Sequence, residues 1–185
     1  MTSRGTLGAA VSFCFLLACG SSSDAPLVTQ TKTDSVDLLR ASLGTASGLF
    51  VLTKLDSAAA EAAVTFDHQC TSGHMVNTQR ESVTVKADGT ARRSAHIDRF
   101  LNGTIQTSFD IVQTGTWDRS TNFSSYFLPG MSIDVKLTNA NGSDGGTVQY
   151  RVGGSTTLSS KSAVGGSCPG SPNDGHEAAF FYSRR

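Results

Sequence analysis

The sequence predicts a mainly β domain: an antiparallel meander of six to eight strands forming a partial or closed barrel, with one or two short N-terminal helices. Three observations carry this. Apolar and polar residues alternate strictly through the middle of the chain, Xaa-Gly turn dipeptides separate the alternating runs, and helical spacing is confined to the first part. Past residue 33 about 150 residues remain, the size of one domain. Such a domain buries roughly 68–70% of its unfolded surface, enough for one core. No internal repeat is evident.

Val36, Leu39 and Leu43 fall on one face of a helix that Asp34 or Ser35 is placed to cap and Gly44 to break. Residues 48–55, with Phe50 and Val51, suit a strand, and residues 57–63 suit a second short helix on propensity alone. Residues 80–87 put Val83 and Val85 on one face and Ser82, Thr84 and Lys86 on the other. Asp88-Gly89 supplies a turn with positive φ, and residues 90–101 form the return strand, with Ala95 and Ile97 facing one way. Asn102-Gly103 marks the next hairpin. Residues 104–116 then set Ile105, Thr107, Phe109 and Ile111 against Gln106, Ser108 and Asp110.

Ile133, Val135 and Leu137 alternate with Asp134, Lys136 and Thr138, and residues 139–146 read as a long hairpin loop. Val148, Tyr150 and Val152 make the return strand, and residues 178–182 the last one. An antiparallel sheet with one apolar face must bury it by closing into a barrel, folding over or packing on a helix.

The N-terminus carries an address. Arg4 precedes 14 uncharged residues, 5–18, that include Leu7, Val11, Phe13, Phe15, Leu16 and Leu17. A basic start followed by a short apolar run is a secretory signal, too short for a bilayer core that needs about 20 residues. The end of the run, Leu16-Leu17-Ala18-Cys19, resembles the bacterial lipobox. The resemblance implies cleavage before Cys19 and lipid on its thiol. Residues 1–18 are then a lipoprotein signal peptide, 19–33 a lipidated cysteine with a flexible tether, and 34–185 a single β-rich domain. Gly20 is not the Asp of the enteric inner-membrane rule, so the implied address is the bacterial cell envelope, anchored in the outer membrane and facing periplasm or cell surface.

A second resemblance covers residues 80–137. Val83 to Thr90, ending Asp88-Gly89-Thr90, followed by Gly115-Thr116-Trp117 and another hairpin, is similar to the small lipocalin-like β domains of bacterial lipoproteins. In true lipocalins the Gly-Xaa-Trp element sits near the N-terminus, whereas Trp117 is mid-chain, so only the shape is carried over.

With Cys14 in the signal and Cys19 lipidated, Cys70 and Cys168 remain, and in an oxidising compartment they most simply form one disulfide. Lys plus Arg and Asp plus Glu number 15 each; loss of Arg4 with the signal leaves 14 against 15, a charge near −1. No basic stripe marks a nucleic-acid surface, and Arg92-Arg93 and Arg184-Arg185 read as solvated pairs.

His68-Gln69-Cys70-Thr71-Ser72-Gly73-His74 puts two imidazoles and a thiol within seven residues, with His176 close to Cys168. Such groups can hold zinc or copper(I), but no Cys-x-x-Cys or His-Glu-x-x-His accompanies them, and a surface disulfide flanked by solvated histidines is the simpler reading. Residues 139–150 lack the glycine and the bidentate glutamate of a calcium loop. There is no nucleophile elbow and no phosphate loop. His96 and Asp98 share a strand face with Asp110 opposite, which outer-face polarity alone accounts for. Residues 123–128 form an apolar loop patch.

The leading expectation is a lipid-anchored, non-enzymatic domain without a cofactor, binding a small apolar ligand or an envelope partner. Ile97, Ile105, Phe109, Ile111 and Trp117 would line its cavity. One alternative is a structural or interaction lipoprotein without a cavity. Another is a metal-dependent protein or enzyme centred on His68, Cys70, His74 and His176.

Overall fold

A computed structural model of the chain describes residues 34–44, 47–56, 58–59, 64–121, 131–164, 168 and 176–185. The expected helix is present as α1 (Ser35–Leu43). Asp34 is its N-cap: Oδ1 accepts from the backbone N–H of Val36 and of Asp37, each at 3.0 Å. Gly44, at φ 51°, ends it in the left-handed region where a Cβ would be strained. Val36, Leu39 and Leu43 are each at most 1% exposed.

Ten strands follow: β1 (Ser47–Leu55), β2 (Ala58–Ala59), β3 (Val64–Cys70), β4 (Gly73–Lys86), β5 (Thr90–Leu101), β6 (Thr104–Arg119), β7 (Ser132–Asn139), β8 (Asp144–Gly153), β9 (Thr157–Val164) and β10 (His176–Arg184). From β3 to β10 each strand pairs antiparallel with the next in sequence. β1 pairs with β10 on one edge and with β4 on the other, closing a barrel of eight strands. β4 changes partner along its length. Residues 82–86 pair with β1, whereas residues 73–78 pair with β3, which stands outside the closed ring.

The meander turns lie where their sequence places them. Gly89 and Gly103 take φ values of 85° and 78°, Asn102 takes 50°, and Asp88 Oδ1 accepts from the Thr90 N–H at 2.8 Å. Four local expectations are corrected. Ala58 and Ala59 form a strand paired with Leu55 and Lys54, not a helix, because ladder bonds override propensity; the rest of residues 57–63 lie outside the described residues. β4 begins at Gly73, not 80, since the face that carries Val83 and Val85 continues as Asn77, Gln79 and Glu81, whose polarity hides the strand. The serine-rich residues 157–164 form β9, whose small side chains fit between β8 and β10. The β7–β8 connection is a tight turn over residues 140–143, with Asn141 Oδ1 accepting from the Ser143 N–H at 3.0 Å.

One end of the barrel is solid. Val36, Leu39 and Leu43 of α1 pack into a cluster with Phe50, Val83, Val85, Trp117, Ile133 and Val135 at the end where β4 gives way to β5. Burying one such side chain is worth about 1.5–3 kcal/mol. Arg119 bonds Asp34 and Asp37, and Arg40 lies 4.9 Å from the Trp117 ring centroid, fixing the helix on this end. β6 and β7 approach so closely at Gly115 that a Cβ there would lie 1.8 Å from the Lys136 carbonyl oxygen.

Candidate functional site

The half of the barrel away from α1 is hollow. A cavity of about 220 Å³ lies among inward residues of β3–β6 and β8–β10. It exists because the wall parts. The β8–β9 ladder ends at Arg151–Ser159, and the cavity is bounded by Val148 and Tyr150 on one side of that opening and by Ser160 and Ser162 on the other. β6 likewise joins β7 only from Gln113 onward, so residues 104–112 rise beyond the wall on β5 alone.

The cavity floor is charged, and its carboxylate is fully bonded. Glu81 Oε1 accepts from Arg93 Nε at 2.7 Å and from the Tyr182 hydroxyl at 2.9 Å. Its Oε2 accepts from Arg93 Nη2 at 2.9 Å and from Gln79 Nε2 at 2.6 Å. Four donors thus satisfy both carboxylate oxygens. Arg93 Nη1 continues the chain to Gln113 Oε1 at 3.2 Å, and Gln113 Nε2 donates to Asn139 Oδ1 at 2.9 Å. Burial alone would lower the Arg93 pKa; the bonds and charge of Glu81 reverse this and raise it. Burial, then the Glu81 charge, raises the Tyr150 and Tyr182 phenols, so both stay neutral. The floor is an ionic layer whose carboxylate is fully bonded and whose two phenols stay protonated.

Above it stands one unmet group. Asn77 is 4% exposed, lines the cavity, and its Oδ1 is buried without a hydrogen-bond partner among the described residues. Directly across the ladder is Arg99, also on the cavity wall but open to solvent. It sits at the irregularity where β5 slips register against β6, a feature that re-aims side chains. None of the ion pairs among the described residues includes Arg99.

The expected apolar lining divides. Ile97 and Phe109 do face the cavity. Ile111 is half-buried, and Ile105, 55% exposed, stands on the free part of β6. Trp117 belongs to the opposite, solid end, where Nε1 donates to the Lys86 carbonyl at 2.7 Å. Asn77, Glu81 and Arg99 carried no motif; the available signal was the period of two that links Asn77, Gln79 and Glu81 to Val83 and Val85. Arg93, expected to be solvated beside Arg92, points inward instead.

Cys70 and Cys168 form the disulfide, with Cα atoms 5.4 Å apart, buried with Phe66 and Met75. The thiol of the proposed metal cluster is thereby consumed. His74 Nε2 lies 2.6 Å from Asp67 Oδ1, and the His68 ring is tilted against Phe66 at 6.0 Å. The His176 backbone pairs with Val164, and its side chain lies outside the described residues. No group of three or more His, Cys, Asp or Glu gathers with metal-binding geometry among the described residues.

On the outer face, His96 bridges two carboxylates: Nδ1 is 2.8 Å from Asp110 Oδ1 and Nε2 is 3.0 Å from Asp98 Oδ1. Ser108 donates to Asp98 rather than to the imidazole, so the group is a staple and not a nucleophile–base pair. Cys19, the tether and the patch at 123–128 lie outside the described residues. Compared with protein-family models, curated proteins and solved structures, the chain matches none.

Proposed function

We propose that the chain is a lipid-anchored, non-enzymatic protein of the bacterial cell envelope that binds a small ligand in the hollow half of its barrel. The observation that carries this is the buried Asn77 Oδ1, without a partner among the described residues, above a floor whose carboxylate oxygens are both fully bonded. A buried acceptor left empty costs about 1–3 kcal/mol, and a ligand donor removes that cost. The wall mixes Ile97, Phe109 and Val148 with Asn77, Ser160 and Arg99, so the occupant is amphipathic rather than purely apolar. Leu16-Leu17-Ala18-Cys19 supports the anchor.

The test is native mass spectrometry of the processed chain made in an oxidising compartment. Extra mass, released on denaturation and missing from a Ser162→Trp variant with unchanged near-UV circular dichroism, is the expected result. A bare chain mass overturns the cavity reading. It would favour docking of an envelope partner instead, for which the exposed Ile105 and Val112 argue. For the anchor, Cys19→Ala is expected to leave the membrane fraction; undiminished association rejects it.

A further inference from the structure

We infer that the hollow half of the barrel selects a small carboxylic acid with a hydrogen-bond donor on the neighbouring carbon and an apolar side chain, that is, an α-hydroxy or α-amino acid. This rests on the cavity-binding reading above and names its ligand class. Arg99 and Asn77 face each other across the β4–β5 ladder, both on the cavity wall. Directly opposed residues hold their Cβ atoms about 4.5–5.5 Å apart, so one compact group can meet both side chains at once.

The two ask for different chemistry. Arg99 is a guanidinium without an ion-pair partner among the described residues, and its planar fork suits a carboxylate. Asn77 Oδ1 is an acceptor, so the adjoining ligand group must donate, as a hydroxyl or ammonium does. The deeper charges are already engaged, Glu81 by Arg93, Gln79 and Tyr182, and Arg93 by Glu81 and Gln113. Below and beside the pair, Ile97, Phe109 and Val148 receive the apolar remainder. Discrimination is greatest for a ligand group that fills a buried polar vacancy, since an analogue without it leaves that vacancy open.

Isothermal titration of the oxidised full chain with phenyllactate, phenylalanine and 3-phenylpropionate tests this. Phenylpropionate keeps the carboxylate and ring but lacks the donor. At least one of the first two is expected to bind about tenfold or more tighter than phenylpropionate. Which of them does so separates a hydroxy-acid from an amino-acid site. Asn77→Ala should erase that preference, while Arg99→Gln should weaken all binding about tenfold without changing the preference. Equal binding of the three probes, or a preference that survives Asn77→Ala, overturns the assignment and leaves the cavity reading standing. If no probe binds while the released mass still depends on Ser162, the cavity is a binding site and the carboxylic-acid class is wrong. If no probe binds and no mass is released, both readings fall.

Discussion

Glu81 shows how a single side chain divides this barrel into two halves. Its side chain is 1% exposed, and that of Arg93, which it holds, is 23% exposed. Removing one member of a buried pair strands the other charge, whereas replacing both with apolar groups of similar volume is often neutral. Glu81→Ala is therefore expected to destabilise the fold by about 3–5 kcal/mol. The double substitution Glu81→Leu/Arg93→Met should recover most of that loss. Urea unfolding of the three proteins decides it: a single variant as stable as the parent would mean that solvent already reaches the pair. The double variant serves a second purpose. It should abolish the boundary between apolar core and polar cavity, so its stability and its ligand binding are expected to part company. Why the sequence concealed this site is visible here. Arg92-Arg93 looks like a surface pair until β5 is given its register, and then alternate residues must face opposite sides, Arg92 outward and Arg93 inward.

β5 and β6 form the longest ribbon of the barrel, and its outer half has no neighbour beyond β6. His96 reinforces that stretch. It faces Asp110 across the ladder and Asp98 along its own strand, with Arg80 of β4 bonded to Asp98 from the other side at 3.1 Å. The bonds to Asp110 and then Asp98 raise the His96 pKa, outweighing partial burial. The Ser108 bond, against burial and with help from His96 and Arg80, lowers that of Asp98. A raised histidine pKa contributes stability that is full below the unfolded value of about 6.5 and disappears as pH rises through the folded value. A lowered aspartate pKa contributes stability above about 3.9 that disappears as pH falls through its folded value. The staple is thus strongest between roughly pH 4 and 6.5. His96→Gln should lower the melting temperature more at pH 5.5 than at pH 8.5, and equal losses at the two would show that the imidazolium charge plays no part. Elements with apolar alternation, such as β5, β6 and β7, were legible from sequence. β9 and the first half of β4 were not, because a strand that faces a polar cavity, or is built from serines, lacks the amphipathic signal on which such reading depends.

For the whole molecule, the closed ring and the strand outside it differ in how they are held. Each strand of the ring has neighbours on two sides, whereas among the described residues β3 pairs with β4 alone, over residues 64–70 against 73–78. Its remaining support is the small cluster of Phe66, Met75 and the Cys70–Cys168 bond, with Leu101 half-buried against it. The disulfide joins residues 98 apart, tying β3 to the segment between β9 and β10. Its existence was legible, since counting cysteines leaves this pair once the expected signal and anchor cysteines are set aside. Its structural meaning was not, because it depends on β4 exchanging one partner for another, a property of topology rather than of any residue. Two consequences differ in scale. In the chain-entropy account, a loop near 100 residues makes the bond worth up to about 4.7 kcal/mol for global unfolding. Locally, its loss should free β3 before the ring opens, since the ring retains every one of its own ladders. A Cys70→Ala/Cys168→Ala variant is accordingly expected to unfold at lower urea, and to show faster amide exchange in β3 and in residues 73–78 of β4 than in β5 to β8. Thr65 of β3 lies on the cavity wall and donates to the Asn77 carbonyl at 3.3 Å, so loosening β3 should also weaken whatever the cavity holds. Exchange that rises uniformly across all the strands would show instead that β3 and the ring unfold as one unit. The disulfide would then act on the unfolded chain alone, and ligand affinity in the folded variant should remain that of the parent.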